Sequence, residues 1–301
     1  MSNFAFNNPA FQEPRSGNGA STQYAPPPPP SAQHAAADAA ANAQLEGMFA
    51  APPAGAIETD RMTVEDTIWK TVGLFGILLV TAVAGWMWTM STLYIDPTTG
   101  QLGADLTPWI VGALGGFVLA LVVTFTSRKK VRPALIWAYA AFEGLFIGAI
   151  SAWFETIFPG IVMQATLATL AVVGVTLALF ASGKIRASKK MTKIFMIAMF
   201  GYLAFSVLNL ILMWVGVPMA GGAFGMRSIE VAGIPLGLII GVLVVFMAAY
   251  SLVLDFDQIQ QGVRNGAPRK YGWLGGFGIM VTVVWLYIEI LRMIAILRGS
   301  D

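Results

Sequence analysis

The sequence predicts an all-α polytopic membrane protein with seven transmembrane helices. Three observations carry this. Hydrophobic residues make up 56% of the 301 residues and charged residues only 11%, where a soluble domain carries about a quarter charged residues. Seven apolar runs are each long enough to cross a hydrocarbon core that needs roughly 20 residues per helix. Basic residues crowd into alternate connections between these runs, the pattern that orients membrane helices. Only helices satisfy their backbone hydrogen bonds one segment at a time, so an α-bundle follows.

The runs, in order, are Ile68 to Met90, Pro108 to Thr126, Pro133 to Phe154, Ile161 to Ser182, Ile194 to Val215, Val231 to Leu254, and Trp273 to Leu297. The last is expected to lie at the centre of the bundle. Small residues, "GALGG" in the second run and "GIPLGLIIG" in the sixth, let membrane helices approach closely. Pro235 falls near the start of the sixth, in its first turn or at a kink. Trp69, Trp86, Trp88, Trp109, Trp153, Trp214 and Trp273 mostly lie near run ends, as interfacial anchors do.

Before the first run lies a different material. Residues 1–60 are rich in Pro, Ala, Gly and polar side chains. Such a segment buries too little apolar surface to offset its ordering entropy, so a disordered cytoplasmic tail is expected, with residues 61–301 forming the transmembrane domain. Pro26 to Pro30 could serve a partner as a polyproline-II ligand, though a flexible spacer is the simpler reading. No signal peptide is visible. The basic loops are "SRKKVR", "GKIRASKKMTK" and the stretch ending in "APRK". They predict that residues 127–132, 183–193 and 257–271 are cytoplasmic, with the amino terminus inside and Asp301 outside the plasma (inner) membrane.

Composition also excludes chemistry. The chain has no Cys, and its one His, His34, lies in the tail. Disulfides, thiolate metal sites and intramembrane His-based catalysis are therefore absent. A net charge of +2 gives no reason to expect nucleic-acid binding. No nucleophile or metal motif stands out, so no enzyme activity and no cofactor are expected.

Apart from the run ends, four ionisable side chains matter, Glu143, Asp255, Glu289 and Arg292, with Asp257 close beside Asp255. A charge at the bilayer centre costs about 2.5–3.5 kcal/mol on insertion scales, so such residues face the bundle interior and mark a path, a relay or a structural pair. Glu289 and Arg292 are three apart and share a helix face. They could neutralise each other, or Glu289 could titrate. Asp255 and Asp257 sit where the sixth run ends. Successive residues turn about 100°, so only one of the two can face the bundle. Were Asp255 to meet Glu289, the two would share a proton and titrate as a pair. Glu143 is either a supporting buried acid or a hydrogen-bonded packing residue.

"LVLDFDQIQQG" followed by "VVWLYIEILRMIAILR" resembles the last two helices of the Bax-inhibitor family, the transmembrane Bax-inhibitor-motif proteins and their bacterial relatives. "RKKVRPALIWAYAAFEGLFIGAIS" resembles the family's basic loop and third helix. The similarity covers about residues 60–301. It implies a pH-sensitive Ca²⁺ leak channel in which two acids, here Asp255 and Glu289, form the sensor and could serve as ligands for Ca²⁺, the permeant ion. A basic residue after the second helix, Arg128 or Arg132, would latch the closed state, with Asp257, Arg292 and Glu143 in support. Carboxylates are the strong anionic oxygen ligands this bundle offers. The family also includes membrane-protease regulators, so the alternative is a non-conducting regulator that binds a membrane protease or another membrane protein. A monomer in the lipid bilayer is favoured, with the oligomeric state otherwise open.

Three departures from the family pattern matter. The second acid is Glu289 rather than Asp. Gln164 stands where some relatives carry Glu. The connection between Asp255 and Glu289 is longer, which predicts an interfacial or broken segment at "GWLGGFG" that brings Glu289 back toward Asp255.

The orientation has a direct check. A Ser188→Cys substitution gives the only thiol in the chain, and it should resist a membrane-impermeant reagent applied to intact cells. Labelling from outside would contradict the assignment.

Overall fold

The computed structural model describes residues 60–95, 97, 100, 102–216 and 222–299. The segment 1–59, with Pro26 to Pro30 and His34, lies outside the described residues, as do Asp96 and Asp301.

Seven helices are each long and apolar enough to span a membrane. They are α1 (Val64–Ser91), α2 (Thr107–Thr126), α3 (Pro133–Ile157), α4 (Ile161–Ala181), α5 (Lys189–Val215), α6 (Leu236–Arg264) and α7 (Tyr271–Gly299). Two small antiparallel hairpins join α1 to α2 (β1 Tyr94–Ile95, β2 Leu102–Gly103) and precede α6 (β3 Glu230–Val231, β4 Ile234–Pro235). A 3-10 segment, Gly222–Ser228, lies between α5 and β3. Local signals explain several boundaries. The Thr63 hydroxyl accepts the Asp66 N–H at 3.0 Å and starts α1; Ser188 does the same for Met191 at the start of α5. Pro133 opens α3, where its missing N–H costs no helical bond. Pro235 is the N-cap of α6, so it initiates that helix and does not kink it.

α7 packs against α1, α3, α4 and α6. Half of its most apolar stretch is buried, against about a sixth for α1, α2 and α5. The other helices turn large apolar side chains outward, among them Trp69, Leu79, Phe117, Leu210 and Phe246, the surface a hydrocarbon solvent requires. Close approaches run through glycines. A Cβ on Gly144 or Gly148 of α3 would run into the backbone of α1 at Leu78 and Ala82, and one on Gly85 would meet Leu145. The "GALGG" glycine Gly112 would press within 2.5 Å of Phe146 N on α3.

The expected break in α7 is absent. "GWLGGFG" lies inside one continuous helix. Its glycines bring α7 onto its neighbours: a Cβ on Gly275 would lie 2.9 Å from Ile259 Cγ1, and one on Gly276 would lie 2.9 Å from Thr71 Oγ1. The extra residues of the connection are taken up as helix. α6 runs on to Arg264, well past Leu254, and only residues 265–270 remain as a turn, with Gly266 at φ +65°.

That turn is strapped to the start of the described chain. Met62 N donates to Ala267 O at 2.7 Å and Arg269 N to Asp60 O at 2.8 Å. The Arg269 side chain reaches Asp66 at 2.9 Å, and this acid holds the guanidinium above its ordinary pKa. Lys70 of α1 pairs with the same Asp66 and donates to Arg269 O. The basic residues of "APRK" thus tie α1 to the α6–α7 turn.

Because α1 and α3 touch through backbone, Gly148→Ala should separate them. A loss of about 1–3 kcal/mol, the usual cost of overpacking, is expected in the thermal unfolding of the detergent-solubilised protein. Gly174 of α4 has nothing within 4 Å of an added Cβ, so Gly174→Ala should be neutral or stabilising by up to about 1 kcal/mol. Equal effects at the two positions would contradict this packing.

Candidate functional site

Two buried carboxylates lie along α7, and they have different company. Asp255 belongs to α6, about 14 Å inside the helix from its Arg264 end at 1.5 Å per residue. It is 1% exposed, nearly as enclosed as the core around it. The Thr282 hydroxyl of α7 donates to its Oδ2 at 2.7 Å, and the Ser251 hydroxyl, one turn earlier on α6, stands 3.4 Å from Thr282 Oγ1. Asp257, two residues on, is only half-buried and accepts a hydrogen bond from Gln261 at 2.9 Å. Helical geometry does separate the two acids: one faces inward, the other does not.

Glu289 is also 1% exposed, but it sits among cations. Arg292 forms an ion pair with it along the helix, and Arg227 of the 3-10 segment approaches its Oε1 at 3.5 Å. The Tyr202 hydroxyl of α5 donates to Oε2 at 2.8 Å. Arg227 is itself buried and donates to Ser206 at 2.9 Å. Its guanidinium lies over the rings of Tyr202 and Phe205, 5.4 Å from each centroid. Asn209 pins the 3-10 segment to α5, accepting from Met226 N at 2.8 Å, and so fixes where Arg227 enters. Asn209 therefore bonds as a helix-packing polar residue, and through that bond it shapes the cluster.

The two acids are not neighbours. Thr282, which touches Asp255, and Glu289 are seven residues apart on a continuous helix, about 10.5 Å of rise. The pairing of Asp255 with Glu289 expected from a broken α7 is corrected accordingly: the glycines that suggested a break serve close packing instead. The other supporting residues are placed as follows. Arg128 and Arg132 are exposed in the α2–α3 connection, and none of the described ion pairs joins either to Asp255. Glu143 lies on α3 beside Tyr139 and against Gly116 of α2, and Tyr139 in turn packs edge-on to Phe277 of α7. Gln164 accepts from Arg298 at 2.9 Å, linking α4 to the end of α7.

Among the described residues, no group of three or more acids and histidines converges as a metal cage. The acidic ligands that Asp255 and Glu289 would supply to Ca²⁺ lie at separate levels of the bundle.

Arg227 was not among the residues the sequence singled out. Its signals were present. It is the lone basic residue between α5 and α6, and it follows a helix carrying Tyr202, Ser206 and Asn209, the spacing that places polar groups on one helical face.

The family described as Bax inhibitor 1 like matches the chain over residues 7–299. The match extends into the amino-terminal segment, beyond the span of about 60–301 expected from the motifs. The searches of curated proteins and of solved structures returned no match.

The Glu289 cluster holds two guanidiniums against one carboxylate. Glu289→Gln would leave both cations without a counter-charge, so a loss of about 3–5 kcal/mol is expected, as when one partner of a buried ion pair is removed. Arg227→Leu leaves the neutral Glu289–Arg292 pair and should cost less. Thermal unfolding of the two purified variants checks the order, and a larger loss in Arg227→Leu would contradict the assignment.

Proposed function

The chain belongs to the Bax inhibitor 1 like family, and from that premise we propose that it is a Ca²⁺ leak channel whose conductance varies with pH through the ionisation of Asp255. One observation carries the choice of residue. Asp255 is fully enclosed, accepts from the Thr282 hydroxyl, and has no guanidinium among the described ion pairs. Its charge state can therefore change without breaking a salt bridge. Glu289, by contrast, is paired with two arginines and accepts a hydrogen bond from the Tyr202 hydroxyl, which suits a fixed brace between α5, the 3-10 segment and α7.

The physical link from charge to conductance is local. Ionised, Asp255 accepts from Thr282 and presents the negative charge that attracts a cation. Protonated, it becomes a hydrogen-bond donor as well as an acceptor, and the charge is gone. Since α6 and α7 meet across this bond, a change in its character acts on their contact. Ca²⁺ suits the oxygen ligands available. The basic loops support a cytoplasmic amino terminus, with Asp255 in the cytoplasmic half; the membrane in this proposal is the plasma (inner) membrane. The protein then acts in the bilayer without a cofactor and without enzymatic chemistry.

The test is Ca²⁺ flux in proteoliposomes between about pH 5 and 8, the range that carboxylates in proteins can reach. Asp255→Asn keeps an oxygen for Thr282 but cannot ionise, so its flux should vary little across a range where the wild type changes. A variant that keeps the wild-type profile would remove Asp255 from the mechanism. Absence of wild-type flux at every pH would favour the non-conducting, partner-binding alternative.

A further inference from the structure

We propose that Arg227 is a fixed charge barrier on the cation path, carried into the bundle by the 3-10 segment, and that it limits the leak of Ca²⁺. This deepens the channel reading and rests on it. The first observation is where the segment goes. It follows α5, at the end of the bundle opposite the three basic connections, and it folds back inward. Asn209, which accepts from Met226 N, is six residues before Val215, the last residue of α5, so it lies about 9 Å inside. Ser206, which accepts from Arg227 at 2.9 Å, lies about 14 Å inside. Two glycines make the seat. A Cβ on Gly225, whose φ is +61°, would lie 2.6 Å from Asn209 Oδ1, and one on Gly237 of α6 would lie 2.9 Å from Arg227 O. Phe224 stacks on Phe154 of α3 with ring centroids 6.5 Å apart.

The second observation is a charge without a match. Glu289 meets Arg292 and Arg227, two cations against one acid, so one positive charge is in excess. Arg292 makes its pair along the helix. Arg227 Nη1 stands 3.5 Å from Glu289 Oε1 and has no hydrogen-bond partner among the described residues. A brace needs one cation per carboxylate, and a second buried charge is costly. The rings of Tyr202 and Phe205 offset part of that cost by facing the guanidinium. Two acids on neighbouring elements do not cancel the excess. Glu155 of α3 accepts from Gly160 N and Val162 N at the start of α4, and Glu230 of β3 is exposed.

A cation that passes Asp255 along α7 must also pass the level of Glu289, about 10.5 Å further on. There it meets the excess guanidinium in an interior of low dielectric. An arginine placed on a membrane pore opposes cations in this way. A guanidinium is not deprotonated in proteins, so this barrier stands at every pH of the assay. The repulsion is proportional to the charge of the ion, so Ca²⁺ is opposed twice as strongly as Na⁺.

The experiment measures Ca²⁺ and Na⁺ flux in proteoliposomes for full-length wild type, Arg227→Met, Arg227→Gln and Arg227→Lys, with cooperative thermal unfolding as the check that each is folded. Met and Gln remove the charge, Gln keeping a donor for Ser206, and Lys retains it. The neutral variants should raise Ca²⁺ flux by about tenfold or more, and Na⁺ flux by about the square root of that factor. Arg227→Lys should stay near the wild type. Equal rises for the two ions would show loosened packing, and a Lys variant as leaky as the neutral ones would show that the charge is irrelevant; either result overturns the barrier. Unchanged Ca²⁺ flux in both neutral variants, while the wild type leaks, overturns it too and leaves the channel reading standing. No flux in any of the four proteins removes the channel reading and the barrier with it.

Discussion

The arrangement depends on burying α7. A helix in a membrane bundle gains nothing from the hydrophobic effect against its neighbours, because lipid tails are as apolar as leucine. It is held by close packing and by polar contacts. Here Gly272, Gly275 and Gly276 let side chains of α1 (Thr67, Lys70, Thr71, Leu74) and α6 (Ile259) lie directly against the backbone of α7. Further along, Gly237 and Gly241 of α6 leave room for Ile296 and Met293 of α7. That approach encloses the α6–α7 seam and gives Asp255 a hydroxyl partner and little else.

Enclosure treats the two acids differently. Glu289 lies where α5 and the 3-10 segment deliver Tyr202 and Arg227, so its charge is matched in place. Asp255 lies where α6 and α7 deliver Ser251 and Thr282. A buried pair with two cations resists a change of charge, since removing one member leaves the others unpaired. A buried acid held by one hydroxyl carries no such lock. That difference is why we assign the proposed pH response to Asp255 and treat Glu289 as a brace.

The seven helices were legible because hydrocarbon thickness sets their length, and the caps at Thr63 and Ser188 mark two starts that the apolar runs alone place a few residues late. The burial of Asp255 and Glu289 was legible because a charge in a membrane must face the bundle interior. Their partners were not. Arg227 lies 62 positions from Glu289, and nothing in a local pattern fixes which helix it will meet. The reading of "GWLGGFG" failed for a definite reason. Glycine loosens a helix in water, but against another helix in a membrane it is a contact surface, and the sequence alone does not say which role applies. Thr282 carried no signal at all: a single threonine in "MVTVVW" is ordinary until α6 is placed opposite it.

The central claim is that Asp255 changes charge inside the seam between α6 and α7. The most direct measurement is the pH-difference infrared spectrum of the reconstituted protein, where a carboxyl group gaining a proton gives its own carbonyl band. The account predicts a band that appears on acidification in the pH range where flux changes, disappears in Asp255→Asn, and persists in Glu289→Gln. A band that survives Asp255→Asn unchanged, or is lost in Glu289→Gln, would contradict it.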